Sequence, residues 1–410
     1  MGTSTVANEV GNKKTLVGTE AVVGTAVTPD YRWMGEFAAT KSRPKVDKPQ
    51  ATGGYHRHVT PRHGVSTFAG TYAEDLTFES LAEHLQYWIK AGAAGVSDAE
   101  TTPGYLHEKT PSFAVDDIAS ATVMYGVDGL GFISTGVRHN EGTITIDPDD
   151  ADGVWKFSAN EYVRSKEPLG PVVEDTVASS TTTVVTLTTG GLTIDAQIGA
   201  FINVGFGTSV GQKRQIVDND ATTVTVSPAF DIAPTAGDVV RIEAEFTAGI
   251  TVPDYEFIPS WGTQVYIDPL DGTIGTTEVL DRIISTNVTV GTNRTAKRFL
   301  NNGPNEVSSK TGRGEQMVTG QIRVEFDRFD EYYMWENLQG FKLRIYQEGT
   351  VIDEGAGTVK YAQIDVPEAY FDEPTEDARE NNMTMTLGWT AYGTTDLITI
   401  AAKNTLATLP

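Results

Sequence analysis

No cysteine occurs in the chain, so disulfides, thiolate zinc sites and cysteine nucleophiles are excluded and redox compartment cannot be inferred. No run approaches the roughly 18 apolar residues of a membrane span. The opening MGTSTVANEVGNKK lacks the apolar core of a secretory signal. The expectation is a soluble protein, made in a cytoplasm, without membrane insertion. Positive charge is scarce: Lys and Arg number 31 against 55 Asp and Glu, a formal net charge of -24. That balance argues against a protein that grips nucleic acid through its phosphates. An acidic surface also serves plain solubility, so charge alone assigns no function.

Catalytic signatures are missing as well. There is no G-x-S-x-G elbow, His-Glu-x-x-His, phosphate loop or dinucleotide fingerprint, so neither an enzyme nor a cofactor is expected. His56, His58 and His63 fall within eight residues, but Arg57 and Arg62 sit among them and no carboxylate is near, which reads as a basic loop rather than a metal site. The run Asp147 to Gly153, DPDDADG, fails the calcium-loop spacing, because Pro148 and Ala159 fall where ligands belong. It reads as an acidic turn.

What is present is β-pattern. Thr143 to Ile146, Thr222 to Val226 and Met383 to Leu387 alternate apolar with polar residues between glycine-rich turns. Two segments carry helical spacing: Phe78 to Ala91, with Phe78, Leu81, Leu85, Trp88 and Ile89 on one face, and Asp330 to Leu338. Tyr332, Tyr333 and Trp335 of the second read as core. At 410 residues the chain accommodates two or three β modules. From about Pro171 to Ala248 charge thins and short Thr/Val-rich strands alternate with turns, which describes a small inserted β-barrel or sandwich. The flanks, 1–170 and 249–410, repeat one order of elements: strand, long polar loop, strand, helix, paired strands. Gly70 falls opposite Gly320 and Phe78 opposite Phe329. The fold expected is all-β with one short helix per module, duplicated, plus the insert.

The two long loops are basic on an acidic protein. The first carries Lys41, Arg43, Lys45, Lys48, Arg57 and Arg62; the second carries Arg294, Lys297, Arg298, Lys310 and Arg313. Loops of about 25 residues are longer than a compact domain usually leaves unstructured. Their sign suggests self-association, loop of one subunit against acidic surface of the next.

Gly18 and Glu20, then Val23-Gly24-Thr25-Ala26-Val27 and Pro29, followed by a short strand, resemble the opening of siphophage tail tube proteins. The helix after Phe78, His107 to Phe113, and GFISTGVRHNEGTITI, read as a hairpin, are similar to that family's continuation. The resemblance covers roughly the first 165 residues, and the last 160 by element order. It implies a structural virion protein of the phage tail, built from β-sandwich or half-barrel modules whose inner sheets join into a closed barrel around a lumen. Partners would be the chain itself in stacked rings, the tape measure protein, and terminator or baseplate proteins, with genomic DNA passing through without tight binding. Duplication favours a trimer with pseudo-sixfold rings over a hexamer. Acidic side chains are expected to line the lumen, the basic loops to bridge rings, and the insert to face outward. A capsid decoration or terminator protein and a carbohydrate-binding surface protein are the competing readings.

Overall fold

The computed structural model describes residues 13–49, 59–97, 104–112, 116–127, 130–169, 173–243, 255–298, 310–355, 357–379, 382–393 and 396–409. The chain is all-β, with two short helices among these residues. Its first part runs through β1 (Lys14–Glu20), β2 (Tyr31–Trp33), β3 (Glu36–Ser42), β4 (Lys45–Pro49), β5 (Val59–His63) and β6 (Thr67–Asp75) to helix α1 (Phe78–Trp88). Short β7 (Val96–Ser97) and β8 (Tyr105–Lys109) lead to β9 (Ser120–Val127), β10 (Leu130–Ile146), β11 (Lys156–Tyr162) and β12 (Ser165–Pro168). GFISTGVRHNEGTITI is therefore not a hairpin. With Leu130 it forms one 17-residue strand, β10, which pairs with β9 and β12 in its first half and with β11 in its second.

Between Val173 and Glu243 lie β13 (Val173–Ser180), β14 (Val184–Leu187), β15 (Phe201–Phe206), β16 (Lys213–Asn219), β17 (Thr223–Ser227) and β18 (Val239–Glu243). They close in the order β13-β14-β17-β16-β15-β18, a six-stranded barrel. Inward alternation of Val185, Leu187, Ile202, Val204, Val224 and Val226 gives it a core of its own.

The last part holds β19 (Gln264–Pro269), β20 (Ile283–Gly291), β21 (Thr295–Lys297), β22 (Lys310–Gly312), β23 (Met317–Glu325), α2 (Asp330–Glu336), β24 (Phe341–Asp353), β25 (Thr358–Phe371), β26 (Thr375–Arg379), β27 (Asn382–Ala391) and β28 (Thr399–Asn404). Pairings repeat between the two parts. β1–β9, β3–β6, β6–β11, β9–β10, β10–β11 and β10–β12 are matched by β19–β24, β20–β23, β23–β27, β24–β25, β25–β27 and β25–β28. The bulges coincide too. β10 has an extra residue against β9 between Ser134 and Val137, and β25 has one against β24 between Val366 and Ala369. Gly70 and Gly320 are equivalent in register: each faces a strand on both sides, Ala39 and Glu161 for the first, Val288 and Trp389 for the second. A Cβ at Gly320 would collide with the Trp389 indole and the Asn287 carbonyl, so only glycine fits beneath that ring.

Helix α1 starts as its sequence dictates. Thr77 accepts from Ser80 N at 2.9 Å and Ser80 returns a bond to Thr77 N, a reciprocal cap. All eleven of its residues are buried. It packs on β10 of its own part and on β25 and β28 of the other, so one continuous core runs through both halves.

Candidate functional site

Following the pairings across the molecule gives one sheet in the order β3-β6-β11-β10-β20-β23-β27-β26, eight strands in two equivalent sets of four. β26 occupies the place of the second half of β10, since Thr375 pairs with Thr386 as Thr143 pairs with Ser158. The junction between the sets is β10–β20, with Thr143 opposite Thr289 and their hydroxyls 2.8 Å apart. Among the described residues, β3 has only β6 as a strand partner and β26 only β27. Each therefore presents an edge, the feature that most needs cover in a β protein. β26 is exposed from Thr375 to Ala378.

The middle of this sheet's solvent face is made of small neutral side chains. Ala38, Thr40, Thr71, Ala73, Ser158 and Asn160 carry it in the first set, and Asn287, Thr289, Thr319, Gln321 and Thr386 in the second. Its charges lie towards the strand ends or are paired, as Arg323 is with Asp377 at 2.9 Å. Among the described residues this face carries the acidic side chains Glu36, Asp75, Glu141, Glu325 and Asp377 around a neutral middle. Alternation along the strands puts Thr, Ser and Asn there, while much of the acidic surplus lies in turns such as Asp147–Asp152.

Both basic loops fold as hairpins, β4–β5 and β21–β22, at equivalent places after β3 and β20. Lys41 pairs with Glu167 at 2.8 Å. Arg43, Lys45, Lys297 and Arg298 are exposed, and Arg298 Nη2 donates to Ser66 O at 2.6 Å, tying one hairpin to the base of the other. Arg313 donates to Gln316 at 2.7 Å. Arg57 and two of the three clustered histidines, His56 and His58, lie outside the described residues, as do the side chains of Lys48, Arg62 and Lys310. Arg294 departs from its group. It is 5% exposed, and its guanidinium grips Asp116 through two bonds of 2.7 and 2.5 Å, so its charge is engaged inside the chain.

The Gly-x-Glu phrase acquires a physical meaning. The Glu20 carboxylate accepts four hydrogen bonds, from Gly24 N, Ser120 Oγ, Thr122 Oγ1 and Gly136 N, at 2.6 to 2.9 Å. Gly24 has φ of 77°, which a side chain would strain, and the tight turn lets its N–H reach back to Glu20. That carboxylate locks the connection after β1 onto β9 and β10.

Sequence reasoning missed a buried chain of polar groups in the first module. His84 on α1 meets His139 on β10 at 3.0 Å, His139 meets Glu161 on β11 at 2.6 Å, and His84 Nε2 stands 3.2 Å from Glu74 on β6, which Tyr72 also contacts. Both imidazoles are fully buried. A histidine on a helix face gives no sequence signal until register supplies its partners. Burial lowers the pKa of His84 despite Glu74 beside it. Glu74 is also low, the cost of burial being outweighed by His84. The unfolded chain thus takes up a proton near pH 6.5 that folded His84 resists, so stability falls as pH drops through that value. Urea unfolding is expected to show a loss of up to about 1.4 kcal/mol between pH 7.5 and 5.5, the limit for one proton. His84→Gln should be less stable but flatter over that window, and an equally steep variant would assign the dependence elsewhere. Glu74 acts in the same direction only below its unfolded value of 4.5.

Among the described residues no group of three or more His, Asp or Glu side chains is arranged to hold a metal ion. An open cleft lined by Asp116, Arg313, Met317 and Tyr392 among others lies beside the second hairpin. No protein-family model matches the chain, and no curated protein matches it.

Proposed function

We propose that this chain is the tube subunit of a long-tailed bacteriophage, a structural virion protein whose rings stack into the conduit for DNA. The observation that carries the reading is the junction β10–β20 taken together with the two edges. Two equivalent four-stranded sets are joined inside the chain through one kind of contact, and the same two surfaces recur at β26 and β3. A contact that joins unlike surfaces of identical units closes a ring or runs on as a filament. Closure also removes the edges.

Three chains supply 24 strands at eight each. With strands about 4.8 Å apart and tilted about 40°, such a barrel is about 48 Å across between backbones. Six chains would double that. Three is the number that leaves a duplex-sized lumen after side chains are added. The neutral Thr, Ser and Asn middle of the face suits passage: it has no cluster of Lys or Arg to hold phosphates by counterion release and no apolar patch to stack bases. The basic hairpins reach towards the next ring, where an acidic surface complements them. The tape measure and terminator or baseplate proteins are the remaining partners.

Negative-stain microscopy of the concentrated protein tests this. Hollow stacked rings with threefold modulation are expected. Discrete closed oligomers that never stack would move the assignment to a decoration or terminator protein.

A further inference from the structure

One helix-on-sheet contact is complete between the two halves, and each half leaves exposed one piece of its equivalent. Helix α1 lies against β25 and β28, with Asn404 Nδ2 donating to Phe78 O at 3.0 Å and Lys360 Nζ meeting Glu79 at 2.7 Å. Ile364 and Ile400, cross-strand neighbours on the same faces as Lys360 and Asn404, are completely buried. In the other half, register and the shared bulge place Phe132 of β10 and Pro168 of β12 at the positions of Ile364 and Ile400. Among the described residues no helix covers them. Phe132 is 40% exposed and Pro168 is exposed.

The equivalent helix is uncovered in turn. Only Glu331 of α2 is buried, whereas every residue of α1 is. Phe329, Tyr333 and Leu338 are 55%, 54% and 76% exposed, and Phe329 and Tyr333 form a contiguous aromatic surface one turn apart. Exposed aromatics grouped in this way mark an interaction surface.

We propose that α2 of one copy seats on the Phe132–Pro168 sheet of the next, as α1 seats on the Ile364–Ile400 sheet within the chain. The occupant is a second copy because the internal interface already displays both halves of the contact. Charge agrees: Lys166 lies 4.0 Å over the Phe132 ring, and exposed Asp330 and Glu336 flank the aromatic face of α2. The same displacement that carries β20 onto β3 of a neighbour carries α1 onto α2, so the socket and the sheet edge engage together. The inference rests on the ring reading and adds to it the side-to-side contact that fixes subunit orientation.

The absence of native cysteine permits a direct test. Phe132→Cys and Tyr333→Cys chains are made separately and treated with a short bis-maleimide, alone and mixed, then run on a denaturing gel. A covalent dimer in the mixture and in neither variant alone is expected. A dimer formed by Phe132→Cys alone would mean a like-with-like contact and overturn the proposal, as would no dimer in a mixture that still assembles. Phe132→Asp should remain folded by circular dichroism, because the residue is half-exposed, yet weaken association in sedimentation by about 100-fold. Normal rings from Phe132→Asp would sink the socket and leave the ring reading standing. A wild-type chain that stays monomeric at every concentration would sink both.

Discussion

Asp116→Ala is expected to cost the fold about 3–4 kcal/mol, because it strands two buried guanidinium groups without their carboxylate. Arg294 binds both Asp116 oxygens, and Arg138 reaches one of them at 3.3 Å, with the two arginines only 5% and 6% exposed. Burial alone would raise the Asp116 pKa; the bonds from Arg294 outweigh it and hold the carboxyl below its ordinary range. The pair's contribution is therefore present above the unfolded carboxylate value and fades as pH falls below it. Urea unfolding followed by tryptophan fluorescence measures the loss. Adding Arg294→Met in the Asp116→Ala background should recover part of it, since one uncompensated charge is then gone. A loss under about 1 kcal/mol would mean water reaches both guanidiniums and solvates them. Arg294 directly precedes β21, so the same ion pair positions the base of the second hairpin.

Local signals were legible where residues answer to their near neighbours. The apolar spacing that reads as a helix from Phe78 to Ala91 starts where α1 starts and runs past its end at Trp88. Asp330 to Leu338 was read as helix, and α2 ends at Glu336. Thinning charge located the inserted barrel. The repeat of Gly70 at Gly320 is visible because a Cβ at either site would press on a neighbouring strand, at Glu161 and Val163 for the first and at Asn287 and Trp389 for the second. What stayed hidden depends on register between distant strands. The β10–β20 junction joins residues about 145 apart, and neither sequence announces the other. Arg294 looked like its basic neighbours because Asp116 lies 178 residues away. Composition implies acidic lumen residues without saying which residues share a face; a bulge in β10 between His139 and Glu141 shifts that parity midway along the strand.

Cysteines at Thr40 and Thr375 are expected to convert the assembly into covalently closed rings. Equivalence of the two strand sets supplies the register: Thr289 maps to Thr40 through Gly320 and Gly70, and Thr143 maps to Thr375 through β27 and β11. Inside the chain Thr143 and Thr289 face each other with hydroxyls in contact. Directly opposed antiparallel residues have Cα atoms about 4.5–5.5 Å apart, within the range a disulfide spans. The same register sets Glu376 against Ala39 and Asp377 against Ala38, so no like charges meet along the proposed edge. Thr143→Cys with Thr289→Cys is the control, since it should close a loop within one chain and change gel mobility without adding mass. On a non-reducing gel, oxidised Thr40→Cys/Thr375→Cys protein should run as a ladder ending at three chains, collapsing to monomer with thiol reductant. A ladder that ends at six would keep the edge pairing and double the ring. No inter-chain bond in protein that still assembles would show that copies meet through some other surface, and the internal junction would then be a feature of the fold with no counterpart between chains.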